Sequence, residues 1–195
     1  MKIVFKFKIL GIALLMASAA RAEMVYFSTR DLLVDFFPHS QSVTYRRLPL
    51  SAIERSHLVE KLGYAPAKSS YTFFIATTGA HLDGYALVDE EKGEHMPITF
   101  AVKLSPAGVV ERQEIVAYRE ARGDEVRDQR FRHQFVGKSG RDPIVAGDDI
   151  VAVSGATISS RAMALGVKRA VVLFQEVLPR LQTVTAQNLV HPPAP

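Results

Sequence analysis

The feature that most constrains the fold is a long apolar stripe with helical spacing near the carboxyl end of the chain. Within residues 160–178, apolar residues recur every three or four positions, at Met163, Val167, Ala170, Val171, Phe174 and Leu178. Most polar residues of this stretch fall on the other side of such a helix. The pattern predicts a long amphipathic helix with one buried face, and Ser159 or Ser160 can serve as its N-cap.

A run of small and hydroxyl-bearing residues leads directly into that helix. It reads Ser154-Gly155-Ala156-Thr157-Ile158-Ser159-Ser160. Unpaired N–H groups and the helix dipole favour an anion at a helix N-terminus, and a glycine lets the backbone come close to it. From spacing alone, an ordinary capped loop is the simpler interpretation, and a phosphate bound near Thr157 is the alternative.

The first 22 residues have the organisation of a secretory signal peptide. Lysines at positions 2, 6 and 8 precede a short apolar run and an Ala20-x-Ala22 ending. The run is about a dozen residues long, shorter than the ~20 that span a bilayer. We therefore predict cleavage after Ala22 and export to the periplasm. The alternative is an uncleaved N-terminal membrane anchor.

This assignment changes the interpretation of the charge. The chain has 24 Lys and Arg against 20 Asp and Glu, and four of the basic residues lie in the first 22 positions. The remainder holds 24 − 4 = 20 basic and 20 acidic residues, so the basic excess that nucleic-acid binding requires is absent. The sequence contains no cysteine, which excludes disulfides and thiolate chemistry.

The order of the predicted elements indicates one α+β domain, with an antiparallel sheet packed with helices and a long C-terminal helix after the SGAT loop. Helices are predicted over 27–37, capped by Ser28 or Thr29, and over 50–63, with a capping box of Ser51 and Glu54 and an end at Gly63. Strands are predicted over 42–48, 70–77, 81–88, 98–104, 109–118 and 150–153, with a turn over 90–94 and a hairpin turn between 104 and 109. We divide the chain into the signal peptide (1–22), an N-terminal segment (23–68), the main domain (69–182) and a tail (183–195).

Several familiar kinds of active site do not fit. Ser154 lacks the Gly-x-Ser-x-Gly surroundings of a hydrolase nucleophile, and no lysine follows the glycine as a phosphate-binding P-loop requires. The four histidines of the central region have no spacing typical of metal ligands; they are His57, His81, His95 and His133.

The run from Ser154 to Ser160 resembles the flavinylation motif of the FMN-binding domain family. That family includes the FMN-bearing subunits of the Na+-translocating NADH:quinone reductase and of the Rnf complex. Other segments are also similar to the family, and they read Gly84-Tyr85-Ala86, Pro97-Ile98-Thr99, Glu120-x-x-Gly123 and Phe131-x-x-Gln134-Phe135-x-Gly137-Lys138.

The resemblance implies that FMN is joined to Thr157 by a phosphoester bond, which a separate Mg2+-dependent flavin transferase makes. Ser154, Gly155 and Ala156 would form the recognition loop, with Ser159 and Ser160 completing the cofactor-binding set. The flavin ring needs an apolar slot, for which the candidates are Tyr85, Phe131 and Phe135.

The implied function is that of an exported flavoprotein that shuttles electrons between a membrane or periplasmic donor and an acceptor. Such a protein is an electron carrier rather than a self-sufficient enzyme. One position departs from the family pattern, because the Asp usually found three residues before the serine is Val151 here, and Asp148 and Asp149 are out of register. Noncovalent FMN, or a binding or assembly module without flavin, are the alternatives that this departure leaves open.

Overall fold

The structure is a computed structural model that describes residues 23–190. The predicted signal peptide and the last five residues of the predicted tail lie outside this range. Within it, the strands are β1 (Met24–Val25), β2 (Ser42–Pro49), β3 (Ser70–Thr78), β4 (His81–Lys92), β5 (Pro97–Leu104) and β6 (Val110–Tyr118). The helices are α1 (Thr29–Phe36), α2 (Ala52–Leu62), α3 (Gln129–His133) and α4 (Thr157–Val190), and a 3-10 helix spans Asp124–Arg127.

The strands form one antiparallel sheet in the order β1-β6-β5-β4-β3-β2. Strands β2 to β6 follow one another across the sheet, and the short β1 pairs with the far edge of β6. The predicted α+β class is therefore confirmed. Helices α2 and α4 cover one face of the sheet, and α1 covers part of the other.

Helix α4 supplies much of the main core through the stripe predicted from its spacing. Met163, Val167, Val171 and Phe174 are completely buried. The ring of Phe174 lies 4.9 Å from that of Tyr85, measured between centroids. Burying four such side chains stabilises the fold by roughly 1.5–3 kcal/mol for each. The stripe thus fixes α4 against the sheet and with it the position of the loop that precedes the helix.

A glycine inside α4 allows the helix to approach the sheet closely. A Cβ atom at Gly166 would lie 2.6 Å from the ring of Phe100 on β5. Glycine in a helix interior costs about 1 kcal/mol relative to alanine. Here the cost is offset by the packing of Phe100, which is itself fully buried.

A buried ionic cluster also holds α4 to β4. Arg169, only 7% exposed, donates from Nε and Nη2 to the Asp89 carboxylate at 3.0 and 2.8 Å. It also pairs with Glu91, and Lys68 donates to Asp89 at 2.6 Å. Because both partners of a buried pair are satisfied, neither charge is left uncompensated in the interior.

The N-terminal predictions are confirmed in detail. Ser28 caps α1, and its hydroxyl accepts a hydrogen bond from the Asp31 N–H at 3.1 Å. Ser51 and Glu54 form the predicted capping box on α2, and the helix ends at Gly63. These signals are local, so the sequence identifies them without knowledge of the rest of the fold.

Three local predictions are wrong. The residues assigned to a turn over 90–94 belong largely to β4, and the turn lies between Lys92 and Pro97. The segment 150–153 is not a strand, since it forms only a bridge from Ile150 to Ala146. Helix α4 starts at Thr157, which places Ser159 and Ser160 inside its first turn rather than at the cap, and it continues to Val190.

Candidate functional site

The loop before α4 makes a tight turn immediately ahead of the helix. Gly155 has a φ of 81°, in the left-handed region that glycine adopts without strain, and nothing lies within 4 Å of the position of a Cβ there. The N–H of Ala156 donates to the carbonyl of Val153 at 3.0 Å. The turn therefore carries the chain from Val153 into the helix and leaves open space beside Gly155.

Side chains from elsewhere bind the backbone of this loop at two points. The Val151 N–H donates to Gln134 Oε1 at 2.7 Å, and Gln134 Nε2 donates back to the Val151 carbonyl at 3.1 Å. Two residues later, the Val153 N–H donates to Ser160 Oγ at 3.0 Å. These bonds satisfy backbone groups that a strand would have paired, which explains why the apolar segment 150–153 is ordered without being a strand.

The six predicted cofactor-binding residues divide into two groups by exposure. Ser154, Gly155 and Thr157 are exposed, with Thr157 at the first position of α4. The other three are at most 5% exposed, and they are Ala156, Ser159 and Ser160. Direct contact of the two buried serines with a cofactor stays a prediction, and in this structure their hydroxyls are engaged inside the protein.

Ser159 fastens the first turn of α4 to the end of β6. Its hydroxyl lies 2.8 Å from that of Tyr118, and the Tyr118 hydroxyl donates to the carbonyl of Arg122 at 2.5 Å. A phenol has one proton, and a carbonyl only accepts, so Ser159 must be the donor to Tyr118. Burial raises the pKa of Tyr118, with the bond from Ser159 opposing the shift, so the phenol stays protonated at neutral pH.

The N-terminus of α4 presents backbone donors next to Thr157. The first i→i−4 backbone hydrogen bond of the helix runs from the Ser160 N–H to the Ala156 carbonyl at 2.9 Å. Among the described residues, no acceptor is found for the N–H groups of Thr157, Ile158 and Ser159. Unpaired donors of this kind, with the helix dipole, stabilise an anion such as a phosphate.

Neither nearby aspartate replaces the missing carboxylate at position 151. Asp149 is used by the loop itself, since it accepts from Lys138 Nζ at 2.7 Å and from the N–H groups of Ile144 and Val145 at 3.1 and 2.7 Å. Burial opposes ionisation of Asp149, but these bonds outweigh it and lower the pKa of the carboxyl. Asp148 is exposed, three residues ahead of Val151.

The hydrogen bonds that the Asp149 carboxylate accepts also hold a strained residue. Ile144 has a φ of 51°, a left-handed conformation that is rare for a β-branched residue, and its side chain is buried. Such strain persists only where the surroundings over-determine it. Asp149 and Lys138 thus fix the course of the segment that leads into the Ile150–Ala156 loop.

The predicted aromatic slot for a flavin ring is wrong. Tyr85, Phe131 and Phe135 are each at most 2% exposed and belong to the main core. Phe131 and Phe135 contact each other edge to face with centroids 5.4 Å apart, while Tyr85 contacts Phe174. Aromatic residues can pack in the core as readily as they can line a binding site. Here the free energy gained by burial places all three in the core.

The exposed apolar surface beside the loop is aliphatic instead. Val151 is 73% exposed and Ile158 is 46% exposed. Val151 lies on the backbone that Gln134 holds, and Ile158 follows Thr157 in the first turn of α4. An apolar group tethered at Thr157 therefore has aliphatic side chains within its reach.

Three residues important to the site were not singled out for their role by the sequence. Gln134 and Lys138 lie in the segment similar to the family, but their bonds to Val151 and Asp149 join residues 11 to 17 positions apart. Tyr118 reaches Ser159 across 41 positions. Neither periodicity nor a short motif in the sequence predicts such pairings between distant residues.

Among residues 23–190, no cluster of histidine, cysteine and acidic residues has the arrangement of a metal site. Within the same range, no helix has both the length and the apolar character that crossing a membrane requires.

Comparison with known proteins is consistent with this geometry. Residues 93–172, which run from the β4–β5 turn into α4, match the model of the FMN-binding domain family. No curated protein matches the sequence. The crystal structure of Shewanella oneidensis NqrC is similar in fold, with a TM-score of 0.53 and 18% sequence identity over 76% of this chain and 87% of that chain.

Proposed function

Residues 93–172 of this chain match the model of the FMN-binding domain family, and from this premise we propose that the protein is an exported electron carrier with FMN joined to Thr157 by a phosphoester bond. The observation that carries the proposal is the exposed hydroxyl-bearing residue Thr157 at the first position of α4, inside the run Ser154-Gly155-Ala156-Thr157. FMN supplies one- and two-electron chemistry when bound.

The residues around Thr157 suit a phosphoester better than they suit catalysis. The exposed Ser154 and Gly155 on one side leave room for a second enzyme to reach the hydroxyl. The unpaired N–H groups of the first turn then stabilise the phosphate, and the helix dipole contributes typically ~0.3–1 kcal/mol. The protein thus holds and orients its cofactor, and a partner performs the attachment.

The attachment is a transfer to a hydroxyl. Thr157 Oγ1 forms the new bond to the phosphorus of the flavin phosphate, and its proton passes to a base of the transferase. The bond between that phosphorus and the nucleotide leaving group of the flavin donor breaks. We assign this step to a Mg2+-dependent flavin transferase, because no cluster of side chains that could hold a metal ion is found among the described residues.

Intact-mass measurement tests the proposal. The protein is co-expressed with a flavin transferase and denatured, and its intact mass is measured by mass spectrometry. We expect the added mass of one FMN together with flavin fluorescence. Thr157→Val replaces the hydroxyl with a methyl group of similar size and should abolish the adduct. Thr44→Val, on the exposed part of β2, is the matched control and should keep it. Persistence of the adduct in Thr157→Val would show that Thr157 is not the attachment residue.

Export and redox partners form the second part of the proposal. The segment before Glu23 has signal-peptide organisation, so the mature protein should begin at Glu23 and appear in the periplasmic fraction. Its electron donor and acceptor would then be membrane or periplasmic redox proteins. Recovery of the full-length chain in the membrane fraction would favour the uncleaved anchor instead.

A second function is supported by one observation, the absence of a carboxylate at position 151. Val151 is 73% exposed, so a transferase that requires an acid there would meet an isopropyl group. The chain would then hold FMN without a covalent bond, or act as a binding or assembly module without flavin. Native mass measurement separates these cases, because noncovalent FMN survives under native conditions and is lost on denaturation.

A further inference from the structure

The outer side of β2 is an open edge of the sheet. Strand β2 is last in the strand order, and no segment within residues 23–190 pairs with its outer side. Six of its eight residues are exposed. An unpaired edge is a template for another strand, and proteins usually shorten, cover or charge such edges.

The backbone groups available on this edge follow from the pairing with β3. The Leu50 N–H donates inward to the Ser69 carbonyl at 2.9 Å. Inward and outward positions alternate along an antiparallel pair, so the backbone groups of Val43, Tyr45 and Arg47 point outward. The Tyr45 carbonyl accepts a bond from Arg46 Nη1 at 2.9 Å, which one side-chain rotation would release.

An apolar groove runs beside these outward groups on the face of the sheet that α1 partly covers. Its volume is about 570 Å3. The apolar residues that line it come from α1, the α1–β2 connection, β2 and β3, and they include Leu33, Val34, Phe37, Val43, Tyr45 and Phe74. Val34 and Tyr45 are 63% and 65% exposed. The edge therefore offers both backbone hydrogen bonds and a place for apolar side chains.

The charge around the groove has one sign. Arg30 is the only charged residue in its lining, and β2 adds Arg46 and Arg47. The acidic residues of α1 are engaged elsewhere, since Asp31 binds Ser28 and Asp35 pairs with Arg112. An occupant with carboxylates is thus favoured, whereas a second copy of this edge would bring arginines together.

We propose that β2 and the groove bind an extended, acidic segment of a partner protein, which adds to the sheet as a seventh strand. Alternate residues of that segment are apolar and enter the groove, and the acidic residues between them meet Arg46 on the other face. A strand has the period of two that such an arrangement needs.

This surface is separate from the Thr157 loop and the inference stands without the proposed flavin. The loop is fastened to Tyr118 on β6, and four inter-strand spacings separate β6 from β2. At ~4.8 Å a spacing, the two lie about 19 Å apart across the sheet. A partner on β2 would hold the protein while leaving Thr157 uncovered.

The test uses synthetic ten-residue peptides with the purified protein. An alternating Val/Glu peptide should shift and protect from exchange the backbone amides of Val43, Tyr45 and Arg47, whereas a Val/Lys peptide should not. Arg46→Glu should weaken binding at least tenfold. Arg130→Glu, an exposed arginine on α3, is the matched control and should leave binding unchanged.

Two further measurements make the result decisive. Tyr45→Pro removes an outward N–H and leaves the bonds to β3 in place, so it should abolish binding while the protein stays folded. Equal binding of both peptides, or the absence of shifts on β2 with the acidic one, would overturn the proposal. So would protection of the same amides that depends on protein concentration without peptide, since a second copy would then occupy the edge.

Discussion

The side-chain amide of Gln134 binds both backbone polar groups of Val151, at 2.7 Å to the N–H and 3.1 Å to the carbonyl. An amide side chain thereby takes the place of a neighbouring strand. This bond pair lies three residues ahead of Ser154 and sets the direction from which the chain enters the SGAT turn. The Val151 side chain is consequently turned toward solvent.

Replacement of Gln134 should loosen the loop. Gln134→Ala removes two hydrogen bonds, and we expect a loss of about 1–2 kcal/mol in the free energy of unfolding, with a slower formation of the FMN adduct. Chemical denaturation and time-resolved intact mass measure the two effects. Gln129→Ala, exposed on α3, is the control. An unchanged adduct rate in Gln134→Ala would show that the loop keeps its form without this bond pair.

A carboxylate at position 151 should raise the rate of modification. Because Val151 is 73% exposed, Val151→Asp should change stability by no more than about 0.5 kcal/mol. The fraction of modified protein, followed by intact mass with limiting transferase, should rise faster than in the unaltered chain. Val34→Asp on α1, where the side chain is 63% exposed, is the control and should not accelerate it. Equal rates for all three chains would mean that the transferase does not use this position.

The hydroxyls of Tyr118 and Ser159 should be energetically coupled. Tyr118→Phe leaves the Arg122 carbonyl without its donor and Ser159 without its acceptor, so we expect a loss of about 1–3 kcal/mol. Ser159→Ala removes one bond and should cost less. A double-mutant cycle in chemical denaturation should give a coupling of about 0.5–1.5 kcal/mol. A coupling near zero would indicate that the two hydroxyls do not bind each other in solution.

The segment held by Asp149 should open in acid. The pKa of Asp149 is lower in the folded protein than in the unfolded chain, where it is about 3.9. Its contribution to stability is therefore complete above the unfolded pKa and is lost as the pH falls through the folded one. The amide signals of Ile144 and Val145 should shift in NMR with a midpoint below about 3.9, and Asp149→Asn should remove that transition. A midpoint above that value would contradict the bonding described here.

The sequence was a good guide wherever one element contains its own signal. The caps of α1 and α2, the hairpin between β5 and β6, and the buried stripe of α4 depend on residues at most a few turns apart. It was a poor guide at the segment 150–153, whose apolar residues suggested a strand. There the backbone groups of Val151 and Val153 bind the side chains of Gln134 and Ser160. A side chain that takes the place of a neighbouring strand produces no periodic pattern in the sequence.

The SGAT run shows the same division inside a single motif. Its resemblance to the flavinylation motif pointed to a phosphoester at Thr157, but the run alone could not tell which hydroxyls face solvent. The fold leaves Thr157 exposed and engages Ser159 with Tyr118 and Ser160 with Val153. It also buries Phe131 and Phe135 in the core. The sequence had instead offered them as candidates for the slot of a flavin ring.

The sequence by itself thus predicted the class of fold, a resemblance to the FMN-binding domain family and Thr157 as the residue for a phosphoester. These depend on local spacing and on a short contiguous run, both of which can be read along the chain. Only the tertiary structure decided that Thr157 is accessible, that Asp149 cannot replace the carboxylate missing at position 151, and that no strand within residues 23–190 pairs with the outer side of β2. Each of these depends on contacts between residues distant in the chain, because burial and hydrogen bonding are settled by which elements pack together.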